Sequence, residues 1–448
     1  MNKDLTTKEI PSLIRQIAIP TSTGMFFNTM YNVVDTFYAG LISTQAIAAL
    51  SLSFTIYFLI MGLGYGFSSA VTALMGNAFG EEDKSKASAY GYKALVFIPV
   101  IGMILSVVGY FVAPWLFVLF GASDEYLDMS VTYVNIIFIG SVFFMLNYSL
   151  NAILVSIGDT KTYRNTLIAG FFLNLILNYL FIYGFWIVSA LGVAGIAMAT
   201  VLIQVITMTY MIYKVTKTGI IDFTKVKEFL PNIAIYKEFL VQGIPSCFNM
   251  FIMGIGSLIF IYFVSVYDVA AVAGYGIGFR VEQLMLLPAL GISISVLTLV
   301  SNNYGAKKYD RVKQIVSVSL KYGFIVSVVG LVVLTTLGKF IISLFDSNEQ
   351  VVNYGFEYVF VEVWVFYAYF ILFVCVSVLQ GIKKPKMIFY IALYRQIIAL
   401  VVLGYIVVKY LELDFVYLCI ANAVIVFSAS IFAYFYTVKL LKEKLEEA

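Results

Sequence analysis

Hydrophobic positions fall into twelve long runs separated by short polar clusters, at residues 13–42, 46–76, 91–120, 130–157, 163–184, 189–214, 239–265, 270–301, 314–345, 351–380, 387–409 and 415–438. Runs of ~20 or more mostly apolar residues are the length at which an α-helix matches the ~30 Å hydrocarbon core of a bilayer. They are too long for the ten-residue alternation of a membrane β-barrel. The pattern predicts an all-α integral membrane protein with 12 transmembrane helices. The longest charged interval, KTGIIDFTKVKEFLPNIAIYKEF, lies between the sixth and seventh runs. It predicts a first lobe at 1–217, a linker at 218–238 and a second lobe at 239–448, with part of the linker an amphipathic helix lying at the membrane surface.

The two sets of six runs repeat each other. A displacement of 225 residues carries Pro20 onto Pro245, Met25-Phe26 onto Met250-Phe251, Gly66 onto Gly291, Asn77 and Gly80 onto Asn302 and Gly305, and Lys214 onto Lys439, with no gap. An even number of spans per repeat gives both halves the same orientation, related by a pseudo-two-fold axis along the membrane normal. Two six-helix lobes around a central cavity suit alternating access.

The first run carries the most informative polar pattern. From Leu13 to Leu41 it would span roughly 43 Å as a helix, with Pro20 removing a backbone hydrogen bond near one end. Thr21, Met25, Asn28, Asn32 and Asp35 recur at four- and three-residue steps and share one face. A carboxylate inside such a span is costly in hydrocarbon, so Asp35 must face protein or a water-filled cavity and is a functional-site candidate. Amide pairs one turn apart, Asn147 with Asn151 and Asn174 with Asn178, give two further helices a polar edge, and Thr200 adds a hydroxyl on the sixth. Interhelical hydrogen bonds and ligand contact are equal readings of these amides. The second half owns a different set, Arg280, Glu282, Glu362 and Arg395. Arg280 and Glu282 lie two residues apart and point to different faces, so each is expected to pair with another helix, through Glu362 and Arg395.

Composition narrows the class. The chain has 448 residues, 62% hydrophobic and 12% charged, against ~25% charged in soluble globules. Of its 28 basic residues, 24 lie at the termini or in even-numbered connections, which by the positive-inside rule puts both termini in the cytoplasm of a multi-pass inner-membrane protein. Topology accounts for these clusters, and nucleic-acid binding is not expected. There is no histidine, so proton chemistry falls to carboxylates, tyrosines or lysines, and a histidine metal site is excluded. No phosphate loop and no G-x-S-x-G turn occurs, which argues against ATP use and against an enzyme. Cys247, Cys375 and Cys419 are scattered in apolar runs and read as small buried hydrophobes. The opening MNKDLTTKEIPSLIR is polar and does not read as a cleaved signal.

The pieces VVDTFYAGL, ALMGNAFGEEDKSKA, GYGIGFRVEQLMLLPALGISISVLTLVSNNYGAKKYDRV and YRQ, with the two six-helix repeats, resemble the multidrug and toxic compound extrusion family over residues 10–440. That resemblance implies a V-shaped, two-lobed secondary transporter, expected as a monomer without a cofactor. It would export amphipathic, often cationic drug-like compounds in exchange for protons or sodium ions. The family's first-helix aspartate falls on Asp35, and its fifth-helix pair falls on Asn174 and Asn178; with Thr200 these form the ion-coupling set. Asn28, Asn32, Asn147 and Asn151 are the substrate-binding candidates. The seventh-span stretch PSCFNMFIMGIGSL lacks the glutamate of the sodium-driven NorM-like branch, which points to the DinF-like branch and to protons. Sodium at Asp35, Asn174 and Asn178 is the alternative ion. A lipid or oligosaccharide-lipid flippase is the alternative function; for an anionic pyrophosphate lipid it would need several unpaired basic residues in its cavity, and only Arg280 and Arg395 are deep.

Overall fold

A computed structural model describes residues 5–122, 124–184 and 189–446. No strand occurs among the described residues. The first half runs through α1 (Ile10–Ile42), α2 (Thr44–Gly80), α3 (Lys84–Leu119), α4 (Asp124–Ser156), α5 (Lys161–Tyr183) and α6 (Val193–Lys217). The second runs through α7 (Ile233–Val264), α8 (Val269–Gly305), α9 (Tyr309–Ser343), α10 (Glu349–Gly381), α11 (Lys386–Tyr410) and α12 (Phe415–Glu446). From α2 onward the helices are long and apolar enough to cross a membrane. With 33 residues α1 has the length as well, but Thr21, Asn28, Asn32 and Asp35 dilute its apolar content.

Each predicted run is a helix, and capping chemistry moves the ends. Asp83 accepts from the Lys86 amide at 2.8 Å and starts α3 at Lys84, ahead of the apolar run. Asn232, following Pro231, accepts from the amides of Ala234 and Ile235 at 3.0 and 3.2 Å and starts α7 inside the stretch expected to be linker. What remains of the expected surface helix is one 3₁₀ turn, Val226–Phe229. The repeat extends to the backbone. Both α2 and α8 have 37 residues and both α4 and α10 have 33. Ser43 and Asp268, at equivalent positions, cap α2 and α8. Left-handed backbone recurs at Glu82 and Lys307 (φ 59° and 55°) and at Gly158 and Lys383 (φ 83° and 59°).

The chain forms two compact units, Thr23–Cys247 and Met1–Ser22 with Phe248–Ala448. Their limits fall inside α1 and inside α7, in each case two residues past a proline, Pro20 or Pro245. The linker therefore belongs to the first lobe. Ile221 is buried against Gly91, where a Cβ would come within 2.8 Å of its Cδ1. The Tyr92 ring meets Phe229 at 5.0 Å, its hydroxyl accepts from the Asp222 amide at 2.8 Å, and Lys93 donates to the Glu228 carbonyl.

In the second lobe α8 packs against α10 along a glycine seam. A Cβ on Gly274 would lie 2.6 Å from the Val351 carbonyl oxygen and 2.7 Å from the Gly355 nitrogen, so only a hydrogen side chain allows this approach. The chain's start is fastened to the same lobe. Asn303 donates to the Leu5 carbonyl at 3.1 Å, Lys308 to that of Thr6 at 3.0 Å and Arg311 to that of Lys8 at 2.7 Å, while Gly291 leaves room for the Ala18 carbonyl.

Candidate functional site

Asp35 lies on the part of α1 that belongs to the first lobe and is 5% exposed. Its Oδ1 accepts from Asn174 Nδ2 and Asn178 Nδ2, both at 2.8 Å, and its Oδ2 accepts from Thr200 Oγ1 at 3.3 Å. The four residues come from α1, α5 and α6. The one-turn spacing of the two asparagines puts both amides on the edge of α5 that faces α1. Tyr38, three residues after Asp35, donates to the Leu175 carbonyl at 2.9 Å and fixes the register of α1 on α5. Gly195 brings the start of α6 against the Phe181 backbone, where a Cβ would sit 2.7 Å from the carbonyl oxygen, and so delivers Thr200 to the same carboxylate.

A cavity of about 270 Å³ opens beside this cluster, bordered by Tyr31, Asn32, Asp35, Tyr57, Tyr133 and Thr200. The oxygens of Asn174 and Asn178 are buried and have no hydrogen-bond partner, so each amide spends its donor on Asp35 and keeps an acceptor unused. A buried carboxylate held by three neutral donors at the edge of a cavity can accept a proton; one carboxylate with several neutral oxygens nearby is also the kind of set that a hard cation takes.

The sequence-predicted residues divide. The structure brings Asp35, Asn174, Asn178 and Thr200 together and places Asn32 on the cavity wall. Asn28 is one turn away, and its carbonyl accepts from Asn32 Nδ2 at 3.2 Å. Asn147 instead ties α4 to α6, donating to Gln204 at the backbone oxygen (3.0 Å) and at Oε1 (2.8 Å), and Asn151 does not border the cavity. The tyrosines of the cavity wall went unread. Tyr31 stands one turn before Asp35 and was legible by spacing, whereas nothing distinguishes Tyr57 and Tyr133 among 33 tyrosines.

The expected ion pairs of the second lobe do not form. Arg280 is exposed, and none of Arg280, Glu282, Glu362 and Arg395 has an ion-pair partner among the described residues. The reason is rotational: two residues along a helix turn the side chain by about 200°, so the face that buries Glu282 turns Arg280 outward. Glu282 accepts from the Tyr358 hydroxyl. Glu362, fully buried, accepts from Asn422 Nδ2 at 2.6 Å and from the Tyr369 hydroxyl at 3.4 Å. Arg395 sits on the first of two π-helical turns in α11, Tyr394–Ile398, with its guanidinium 5.8 Å from the centre of the Tyr369 ring. The position equivalent to Asp35 is Phe260, packed on Tyr275 at 5.0 Å.

The sequence pattern of the MatE family matches residues 20–180 and 245–406, covering both repeats and well over half of the chain. The chain belongs to the MatE family. This is a family of membrane transporters, and the protein is a transporter and not an enzyme. Among curated proteins this MatE chain is similar to the probable multidrug resistance protein YoeA of Bacillus subtilis, 27% identical over 329 residues, which is 72% of this chain and 70% of that protein. It is also similar to the multidrug export protein MepA of Staphylococcus aureus, 25% identical over 337 residues, 75% of this chain and 74% of that one. Among solved structures, a MOP superfamily transporter from Pyrococcus furiosus superposes with a TM-score of 0.92 at 21% identity over 99% of this chain and 98% of that chain. An outward-facing multidrug resistance MATE family transporter does so with a TM-score of 0.92 at 20% identity, over 99% and 98%. At that identity the likeness carries the fold.

Proposed function

We propose that the protein is a secondary multidrug exporter of the cell's inner membrane, working as a monomer with both termini cytoplasmic. It moves amphipathic, often cationic compounds outward by alternating access in exchange for protons, with Asp35 as the coupling carboxylate. The observation that carries this reading is the carboxylate itself: buried, held by three neutral donors and bordered by a cavity. The names of the relatives support the class of cargo. Protonation removes the charge toward which Asn174, Asn178 and Thr200 point. One oxygen turns from acceptor to donor, and the ties from α1 to α5 and α6 loosen together. The tyrosines and Asn32 on the cavity wall then repack, which couples proton entry to the shape of the cavity.

Sodium is the second reading, favoured by the unused oxygens of Asn174 and Asn178. As oriented, both amides present N–H to Asp35, so a cation there requires both to turn over. In proteoliposomes, a pH gradient without sodium should drive uptake of a fluorescent cationic substrate, and Asp35→Asn should reduce it to the level of empty vesicles while the protein still folds and inserts in the membrane. Transport driven by a sodium gradient at equal pH, with no response to the pH gradient, would exchange the ion and leave the exporter. Full transport by Asp35→Asn would remove the coupling role.

A further inference from the structure

A cavity of about 720 Å³ lies in the second lobe among α9, α10 and α12. Its walls include Phe324, Tyr367 and Tyr434, and Lys313, Lys321 and Lys442 line it as well. None of these lysines has an ion-pair or hydrogen-bond partner among the described residues. The pseudo-symmetry says what such a groove needs. Val316 and Ser317, which line it, are the equivalents of Gly91 and Tyr92, two of the residues of α3 that seat the linker in the first lobe. There the chain leaves α6 at Lys217 and folds back, so that Ile221 and Phe229 fill the space. At the equivalent point, Lys442, α12 continues as a helix to Glu446. The same groove is plugged by protein in one repeat and open in the other.

We propose that this open groove holds an acidic phospholipid, with its phosphate among Lys313, Lys321 and Lys442 and an acyl chain along Phe324, Tyr367 and Tyr434. Three unpaired ammonium groups repel the cationic compounds proposed as cargo and attract a phosphate. The aromatic wall, in which Phe324 meets Tyr367 edge-on at 5.4 Å, suits the hydrocarbon that an acidic lipid carries and a free phosphate ion lacks. Lys313 and Lys442 sit about one turn from the helix ends that adjoin the basic connections, the level of the anionic leaflet in the orientation read from the sequence, and Lys321 lies about two turns deeper along α9. Where the linker in the first lobe is part of the fold, its place in the second lobe is taken by a molecule the membrane supplies.

The test is native mass spectrometry of the purified full-length protein given equal amounts of phosphatidylglycerol and phosphatidylcholine. The intact protein should retain phosphatidylglycerol preferentially. Lys321→Gln alone, and then Lys313→Gln with Lys442→Gln added, should lower that preference by about fivefold per lysine. Lys225→Gln with Lys227→Gln, on the plugged side, should leave it unchanged. Equal retention of the two lipids by the intact protein, or a preference that survives the triple substitution, would overturn the assignment. A preference that appears only after the residues beyond Lys442 are removed would overturn it too, giving the groove to the chain's own end.

Discussion

The two lobes share a backbone and differ in what they do with buried charge. In the first, one carboxylate on α1 meets two amides and a hydroxyl beside a cavity. In the second, the equivalent position is Phe260 inside an aromatic cluster, and the buried carboxylates have moved to α8 and α10, where Tyr358, Tyr369 and Asn422 satisfy them. A duplicated six-helix frame thus tolerates a change of interior polarity without a change of helix length, because each helix meets its backbone hydrogen bonds internally and leaves only side-chain faces to vary.

The comparison can be broken most severely by moving the first lobe's charge into the second. Phe260→Asp places a carboxylate among Tyr275 and Tyr358 with no amide aimed at it, and should cost about 3 to 5 kcal/mol, read as a large drop in the thermal unfolding midpoint and in yield. A stable Phe260→Asp protein would mean that the second lobe can host a carboxylate wherever α1 does.

A smaller effect sharpens it. Asn422→Ala leaves Glu362 Oε1 without its 2.6 Å donor in a fully buried site, and should cost about 1 to 3 kcal/mol by the same measurement. Transport per folded molecule should hardly change. If Asn422→Ala abolishes transport at unchanged stability, the second lobe also couples.

The smallest concerns the plug in the first lobe. Asp222, exposed in the linker, accepts from the hydroxyl and the amide of Thr224 at 2.7 and 3.0 Å, and these bonds hold its carboxyl below the ordinary range. A lowered pKa means that the turn is fully stabilised above the ordinary aspartate range and loosens as pH falls through the lowered value. Protection of the Thr224 amide against hydrogen exchange, taken relative to the intrinsic rate at each pH, should therefore fall only at strongly acid pH, and Asp222→Ala should lower it at neutral pH while making little difference at strongly acid pH.

Much of this was legible in the sequence for physical reasons. Lipid forces continuous apolar runs, so helix positions followed from hydropathy, and the repeat gave α8 and α10 from α2 and α4. That Asn174 and Asn178 share an edge of α5 was legible because four-residue spacing fixes a face, whereas their grouping with Asp35 came from the family resemblance. Arg280 was misread because proximity in sequence says nothing about which way a helix is turned in its bundle. Gln204, which receives Asn147, and the π-helical turns of α11 left no local pattern: the first depends on a partner 57 residues away and the second on one added residue per turn. Tyr57 and Tyr133 were hidden by abundance.

The fastening of residues 5–22 to the second lobe has a consequence for the order of synthesis. Their seats, Gly291, Asn303, Lys308 and Arg311, are translated some 270 residues or more after them. At ~5–20 residues per second that is a wait of tens of seconds, during which the inner part of α1 has no mate. A segment made early is thus among the last to find its place, so until the second repeat has been inserted this stretch depends on the ribosome, the translocon or the membrane surface for shelter.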